Sequence, residues 1–269
     1  MSTETVPSMT SVESWLAALH ASSARLAAAF SGLRDEQLSR PSFAKDWSIA
    51  QVLSHLGSAA EICTTLVERG VAGDATAPRR EDMEPVWERW NALTGPEQRT
   101  HWMAADARHL RLLDSLHAAE RASLRVPYFA GLLDLPAYAG YRLSEQSVHA
   151  WDVEVALDVD ATIPAAEVAL LWERLDLVAT RFRHAGTLGR LAPASVTINC
   201  ADTHRTAALL LASELHIYPC ETAEPAGAVT GTSEAILRLV YGRNRPERDD
   251  VTATGPVTLE DLRALFPGY

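Results

Sequence analysis

Beyond about residue 193 the apolar residues of this chain stop recurring every three or four positions and begin to alternate. A chain whose hydrophobic period changes in this way cannot bury both halves in the same kind of layer. In ASVTINC, Val196, Ile198 and Cys200 alternate with Thr197 and Asn199, the pattern of a half-buried strand. TAALLLASELHIY follows, with LASELHIY expected as the hairpin partner, and GAVTG reads as a third, short strand. TSEAILRLVYGR reads as a helix stopped by Gly242, VTATGPV as a strand, and TLEDLRALF as a closing helix capped by Thr258 and Asp261. The order strand, strand, strand, helix, strand, helix is that of a small α+β domain. HAGTLGRLAP, punctuated by Gly and Pro, reads as the linker before it, so domains are expected over 10–185 and 193–269.

The first of these reads as helical. Residues 1–9 are polar and aperiodic and are expected to be disordered. Thr10 and Glu13 form a capping-box pattern opening a helix to about Leu33, whose buried side carries Trp15, Leu16, Leu19, Leu26 and Phe30. RDEQLSRPSFAKDW is a loop broken by Pro41, after which Ser48 and Gln51 form a second box and a helix runs to a stop at Gly70. A loop over 71–82, a short segment around Trp87 and Trp90, a long helix after Pro96, and the turn RVPYFAGLLDLP lead to a helix from near Pro136 to about Leu157. A fifth helix is expected from Pro164 to about Arg183. Four long amphipathic helices before residue 160 suit a bundle, a fold that builds metal sites from inward-facing side chains.

Within that frame LSEQSVHAWDVEV stands out. Glu145 and His149 are spaced i, i+4, so on a helix they lie one above the other and can close on a single ion. Asp152, three residues on, is placed to receive the second ring N–H of His149, a role that metal-binding histidines usually need filled. His55 lies inside the helix opened by Ser48, beside an apolar stripe of Ile49, Val52, Leu53, Leu56 and Ile62. Taken singly, Glu145 and His149 read first as a solvated pair, and His55 as a buried packing histidine. His101, His109 and His117, eight apart, drift by about 80° per step round a helix and form no ligand cluster. The aromatics Trp87, Trp90, Tyr128 and Phe129 can either line a substrate cavity or pack the core.

A net charge of −11 argues against nucleic acid and anionic membranes as partners, since both require a basic face. No apolar run approaches the ~18 residues of a membrane span and no signal sequence opens the chain, so a cytoplasmic protein is expected. Cys63, Cys200 and Cys220 form neither a C-x-x-C motif nor an even set and are expected to be reduced. With no heptad run to specify an oligomer, a monomer is expected.

DWSIAQVLSHLGSAAE, with Trp47 just before the capped helix and His55 within it, resembles the metal-binding helix of DinB-like four-helix bundles. EQSVHAWDVEVAL resembles the later ligand helix of one branch of these, the mycothiol-dependent maleylpyruvate isomerase family. The tail, VTGTSEAILRLVYGR followed by VTATG, is similar to that family's small sterol-carrier-like C-terminal domain. The resemblance implies a divalent metal, zinc in most cases, held by His55, Glu145 and His149, with mycothiol as cosubstrate and an actinobacterial setting. It also implies a functional arginine in the tail, for which Arg243 is the best match and Arg245 and Arg238 are competitors.

Three ligands leave a coordination position open, as in catalytic rather than structural zinc. No side-chain nucleophile stands nearby, Cys63 lying about 80° round the helix from His55, so an exogenous thiol is the expected nucleophile. It would attack an electrophilic small molecule, with Arg243 meeting the negative charge that develops. The leading expectation is thiol S-transfer, with cis–trans isomerisation of the maleylpyruvate type as the alternative. A non-catalytic ligand-binding module and a zinc hydrolase are the readings from other classes.

Overall fold

The computed structural model describes residues 10–220, 226–248 and 250–268, so the disorder expected over 1–9 lies outside the described residues. The chain divides into two compact units, Met1–Ala161 and Thr162–Tyr269. Among the described residues no helix is long and apolar enough to cross a membrane.

The first unit is the expected bundle. Its long helices are α1 (Val12–Ser31), α3 (Ile49–Val71), α5 (Gly95–Ser115) and α7 (Leu135–Leu157), with short helices α2 (Asp35–Leu38), α4 (Arg80–Asn91) and α6 (Ala118–Ser123) between them. A hairpin, β1 (Val126–Tyr128) and β2 (Gly131–Leu133), occupies the segment read as a simple turn before α7. Helix α3 packs along α5, and α1 along α7. Phe30, Val52, Leu53, Leu56, Trp90, Trp102, Ala150 and Val153 belong to one continuous core cluster.

Local signals behave as their chemistry requires, with two corrections. The Ser48/Gln51 box opens α3 as expected, but α1 is capped by Ser11, whose side chain accepts from Ser14 N, rather than by Thr10. Ser11 holds the extended backbone that an N-cap needs, and the helix begins immediately after it. Helix α3 passes through Gly70 and ends at Val71 with Ala72 as its C-cap, followed by Gly73 in the left-handed region at φ 78°. Gly70 serves a close approach instead, because a Cβ there would sit 2.6 Å from the Arg125 carbonyl oxygen.

His109, a packing residue as expected, is enclosed by hydrogen bonds. Thr64 Oγ1 donates to the Ala60 carbonyl (2.8 Å), so it accepts from His109 Nδ1–H (3.2 Å), and the Tyr138 hydroxyl donates to Nε2 (3.0 Å). Burial, aided by the Arg142 charge, pushes the His109 pKa well below its ordinary value. The unfolded chain therefore takes up a proton near pH 6.5 that the folded chain refuses, so this contribution is complete above that pH and is lost as pH falls toward the folded pKa. In metal-free protein, stability is expected to fall by up to about 1.4 kcal/mol per pH unit more steeply in the wild type than in His109→Gln below pH 6.5. Denaturant unfolding at a series of pH values measures this, and parallel curves would contradict it.

The second unit is α+β. It comprises α8 (Ala165–Trp172), α9 (Leu175–Phe182), α10 (Ala185–Leu191), β3 (Ala194–Cys200), β4 (Thr206–Leu211), β5 (Leu215–Pro219), β6 (Ala228–Gly231), α11 (Ser233–Val240), β7 (Val251–Thr254) and α12 (Leu259–Leu265). The sheet runs β5-β4-β3-β6-β7, with β3 and β6 parallel and the other neighbours antiparallel. The partner of β3 is TAALLL, with Ala194 opposite Leu211, and LHIYP forms the next strand out. The hairpin was expected one strand further along, because a continuously apolar strand, buried on both faces, shows no alternation.

The segment over 162–185, expected to close the first domain, lies in the second unit. Its single expected helix is broken into α8 and α9, and their apolar faces pack on α11 and β5. Trp172 Nε1 donates to the Ser233 carbonyl (2.9 Å), and Asp176 accepts from Ile217 N (2.7 Å). The expected linker is itself partly helical, as α10. Gly242 follows α11 at φ 73°, and Thr258 with Asp261 caps α12, both as expected.

Candidate metal centre

Helix α7 carries Glu145, His149 and Asp152 on one face, and α3 brings His55 to the same place from across the bundle. One ligand atom from each of His55, Glu145 and His149 lies within 4.8 Å of the others. Glu145 Oε2 is 3.1 Å from His55 Nε2 and 3.8 Å from His149 Nε2. Behind them His149 Nδ1 meets Asp152 Oδ2 at 2.9 Å, and Asp152 is fully buried. An ionised carboxylate only accepts, so this bond puts the ring proton on Nδ1 and leaves the Nε2 lone pair facing Glu145.

The loop before α3 completes the wall. Pro41 bridges to Ser48, and Phe43 N donates to the Asp152 carbonyl (2.8 Å), which fixes the loop against α7. Trp47 is thereby laid over both imidazoles, stacked on His149 at 5.9 Å and tilted against His55 at 5.2 Å. The two imidazoles meet edge to face at 4.7 Å. His55 keeps 32% of its side-chain surface exposed and Glu145 22%, whereas His149 keeps 4%, so the triad opens to solvent from the His55 side.

Burial alone would raise the Glu145 pKa. The hydrogen bond from His55, the charges that His55 and His149 carry when protonated, and the Arg142 charge outweigh it and bring the carboxyl down to about 2, so it is ionised at neutral pH. Arg142, one turn before Glu145, is the contributor that sequence reasoning missed. Its guanidinium is 1% exposed, and its Nε and Nη1 have no hydrogen-bond partner among the described residues. The available signal was an arginine three positions before Glu145, on the face that α7 turns inward.

Two neutral imidazoles and a carboxylate are a known donor set for a catalytic zinc ion. Bonds of about 2.1 Å in a tetrahedral site would put donors roughly 3.4 Å apart, and the two measured contacts of Glu145, 3.1 and 3.8 Å, bracket that spacing. The residues fit a divalent metal of zinc's size.

Of the remaining candidates, the three arginines belong to the second unit and Cys63 and the aromatics to the first. Arg238, 1% exposed, donates Nε to Glu234 (2.7 Å) and Nη1 to the Arg243 carbonyl (3.2 Å), and also pairs with Asp250. Arg243 is 6% exposed and donates to the Tyr241 carbonyl (2.9 Å), while Arg245 is exposed. Cys63 is buried, and that burial raises its pKa, which suits a packing thiol rather than a nucleophile. Trp90 is core, its Nε1 donating to Glu61 (2.8 Å), whereas Phe129 at the hairpin tip is 47% exposed.

The family model for the mycothiol maleylpyruvate isomerase N-terminal domain matches residues 19–154, which include all of this centre. Among solved structures, the chain is similar to a crystal structure of the mycothiol-dependent maleylpyruvate isomerase, with 16% identity, a TM-score of 0.67, and 91% of this chain and 93% of that chain covered. A crystal structure of a histidine-to-alanine mutant of that isomerase gives 14% identity, a TM-score of 0.63 and the same coverage. At these identities the likeness establishes a shared fold. No curated protein matches the chain.

Proposed function

Because the chain belongs to the mycothiol maleylpyruvate isomerase family, we propose that it is a metal- and mycothiol-dependent cis–trans isomerase acting on maleylpyruvate or a close analogue. The observation that carries this reading is the convergence of His55, Glu145 and His149 within the domain that the family model matches. Both similar crystal structures are of isomerases, which favours isomerisation over the S-transfer expected first.

A divalent metal, zinc by its donor set, would supply a Lewis acid with an open position at which a thiol loses its proton near neutral pH. The chain's own groups prepare that position. Asp152 fixes the tautomer and ring plane of His149, Arg142 helps to keep Glu145 ionised, and Trp47 screens the imidazoles on one side. The exposed side of His55 leaves a path for two small molecules.

The thiolate sulfur adds to one carbon of the cis double bond, and the π electrons move to the conjugated carbonyl as an enolate. The former double bond is now single and rotates. Collapse of the enolate re-forms the double bond in the trans geometry and expels the thiolate unchanged. Arg243, the best match to the arginine that the family resemblance implies, is our candidate to meet the enolate or carboxylate charge.

The test is to supply the zinc-loaded protein with maleylpyruvate, with and without mycothiol. Isomerisation only with the thiol present, free thiol undiminished at the end, and kcat lowered in Arg243→Gln with metal content unchanged are the expected results. Stoichiometric consumption of thiol would make the protein a transferase. Rates equal to the enzyme-free control, with maleylpyruvate and with other electrophiles, would reject the reading.

A further inference from the structure

The second unit contains a cavity of about 320 Å³ that has no part in the chemistry above. One wall is apolar, formed by Ile163, Val168 and Ala169 around the start of α8. The lining also includes the N-terminal end of α11 and the loop that carries Asp202, Thr203 and Arg205. Trp172, 8% exposed, also lines the cavity with its Nε1–H spent on the Ser233 carbonyl, so the indole offers it a limited area of carbon surface. The Arg205 guanidinium sits over that indole, 4.9 Å from the ring centre.

The charged groups on the rim differ in what they are free to do. Asp202 accepts from Ser233 N (2.7 Å) and Ser233 Oγ (3.0 Å), which caps α11. Glu234 accepts from Ile163 N (3.3 Å) and from Arg238 Nε (2.7 Å). Thr203 and Ser233 share a hydroxyl–hydroxyl bond at 2.8 Å. Both carboxylates are thus held by the fold. Arg205 is exposed, and among the described residues no carboxylate pairs with it, so its N–H groups are available to a ligand. A cavity with an apolar wall, an aromatic face and a single uncommitted guanidinium matches a flat apolar body with one anionic head. The volume, at the small end for ligand sites, limits that body to one or two rings.

We propose that this cavity binds a small aromatic carboxylate, with its carboxylate on the Arg205 guanidinium and its rings against Trp172, Ile163 and Val168. None of the lining residues is a candidate metal ligand, and the occupant is distinct from the thiol.

The probe is 2-naphthoate, titrated into the full-length protein by its own fluorescence, beside the neutral 2-naphthylmethanol and the cationic 2-naphthylmethylamine. Saturable binding of one naphthoate is expected, with Kd on the order of 0.1–1 mM for a ligand of this size. Arg205→Gln should weaken naphthoate about tenfold while leaving the alcohol unchanged, the loss of a charge-assisted hydrogen bond. Ala169→Phe, at an exposed helix position whose side chain enters the cavity, should abolish binding of both. Absence of saturable naphthoate binding, equal affinity in Arg205→Gln, or preference for the amine would overturn the proposal. So would loss of binding in His149→Ala, which would put the carboxylate at the metal centre instead.

Discussion

His149→Ala is expected to leave the protein without bound metal after dialysis, where the wild type retains about one equivalent, and to lower thiol-dependent turnover by at least a hundredfold. The substitution removes the imidazole whose Nε2 faces Glu145, and it also takes from the fully buried Asp152 the hydrogen bond that orients that ring. Two donors, His55 and Glu145, are left 3.1 Å apart, too few to hold an ion against chelation. Asp152→Asn provides the graded comparison: the imidazole stays, its tautomer is no longer enforced, and metal affinity should fall by roughly 10–100-fold. Elemental analysis of protein purified without metal-affinity resin reads both variants. Equal metal in wild type and His149→Ala would remove the triad from any metal-dependent mechanism.

Arg238→Met is expected to destabilise the second unit by about 3–5 kcal/mol, toward the lower figure because Asp250 keeps 28% of its side chain in solvent and can be rehydrated. The arginine is buried between Glu234, four residues earlier on α11, and Asp250, just before β7, and it also holds the Arg243 carbonyl beyond the helix end. Methionine fills similar volume but leaves two carboxylates facing each other across an apolar gap. Denaturant unfolding should show the loss, while metal content, a property of the first unit, stays at the wild-type value. An unchanged unfolding midpoint would mean that solvent already carries those carboxylates.

What the sequence made legible follows the range of the interactions involved. The S-x-x-Q box before α3 and the T-x-x-D box before α12 are local devices whose partners lie three residues away, and both open their helices as expected. The Glu145/His149 pairing is equally local, a consequence of helical pitch. The approach of His55 to that pair joins residues ninety positions apart; the bundle reading made it admissible and the family resemblance singled it out, since no spacing rule reaches across a bundle.

A Cβ on Gly57 would stand 2.2 Å from the Trp90 ring, so this glycine, which no local pattern marks, makes room for α4 to lie against α3. The break between α8 and α9, and the assignment of both to the second unit, depend on which sheet offers an apolar face, which helical periodicity does not encode. Arg142 was overlooked for a related reason: composition rules put arginine outside, and only packing reveals one held beneath a carboxylate.

Three of the four groups at the centre ride on one unbroken helix, and the fourth rides on another. Glu145, His149 and Asp152 therefore shift together, and the bite of the site reduces to a single coordinate, the separation of α3 from α7. That separation is set by side chains such as Val52, Leu56, Ala150 and Val153, which belong to one core cluster and supply no donor atom. Descendants of this chain can consequently drift toward larger or smaller ions through core volume alone, with every donor atom kept.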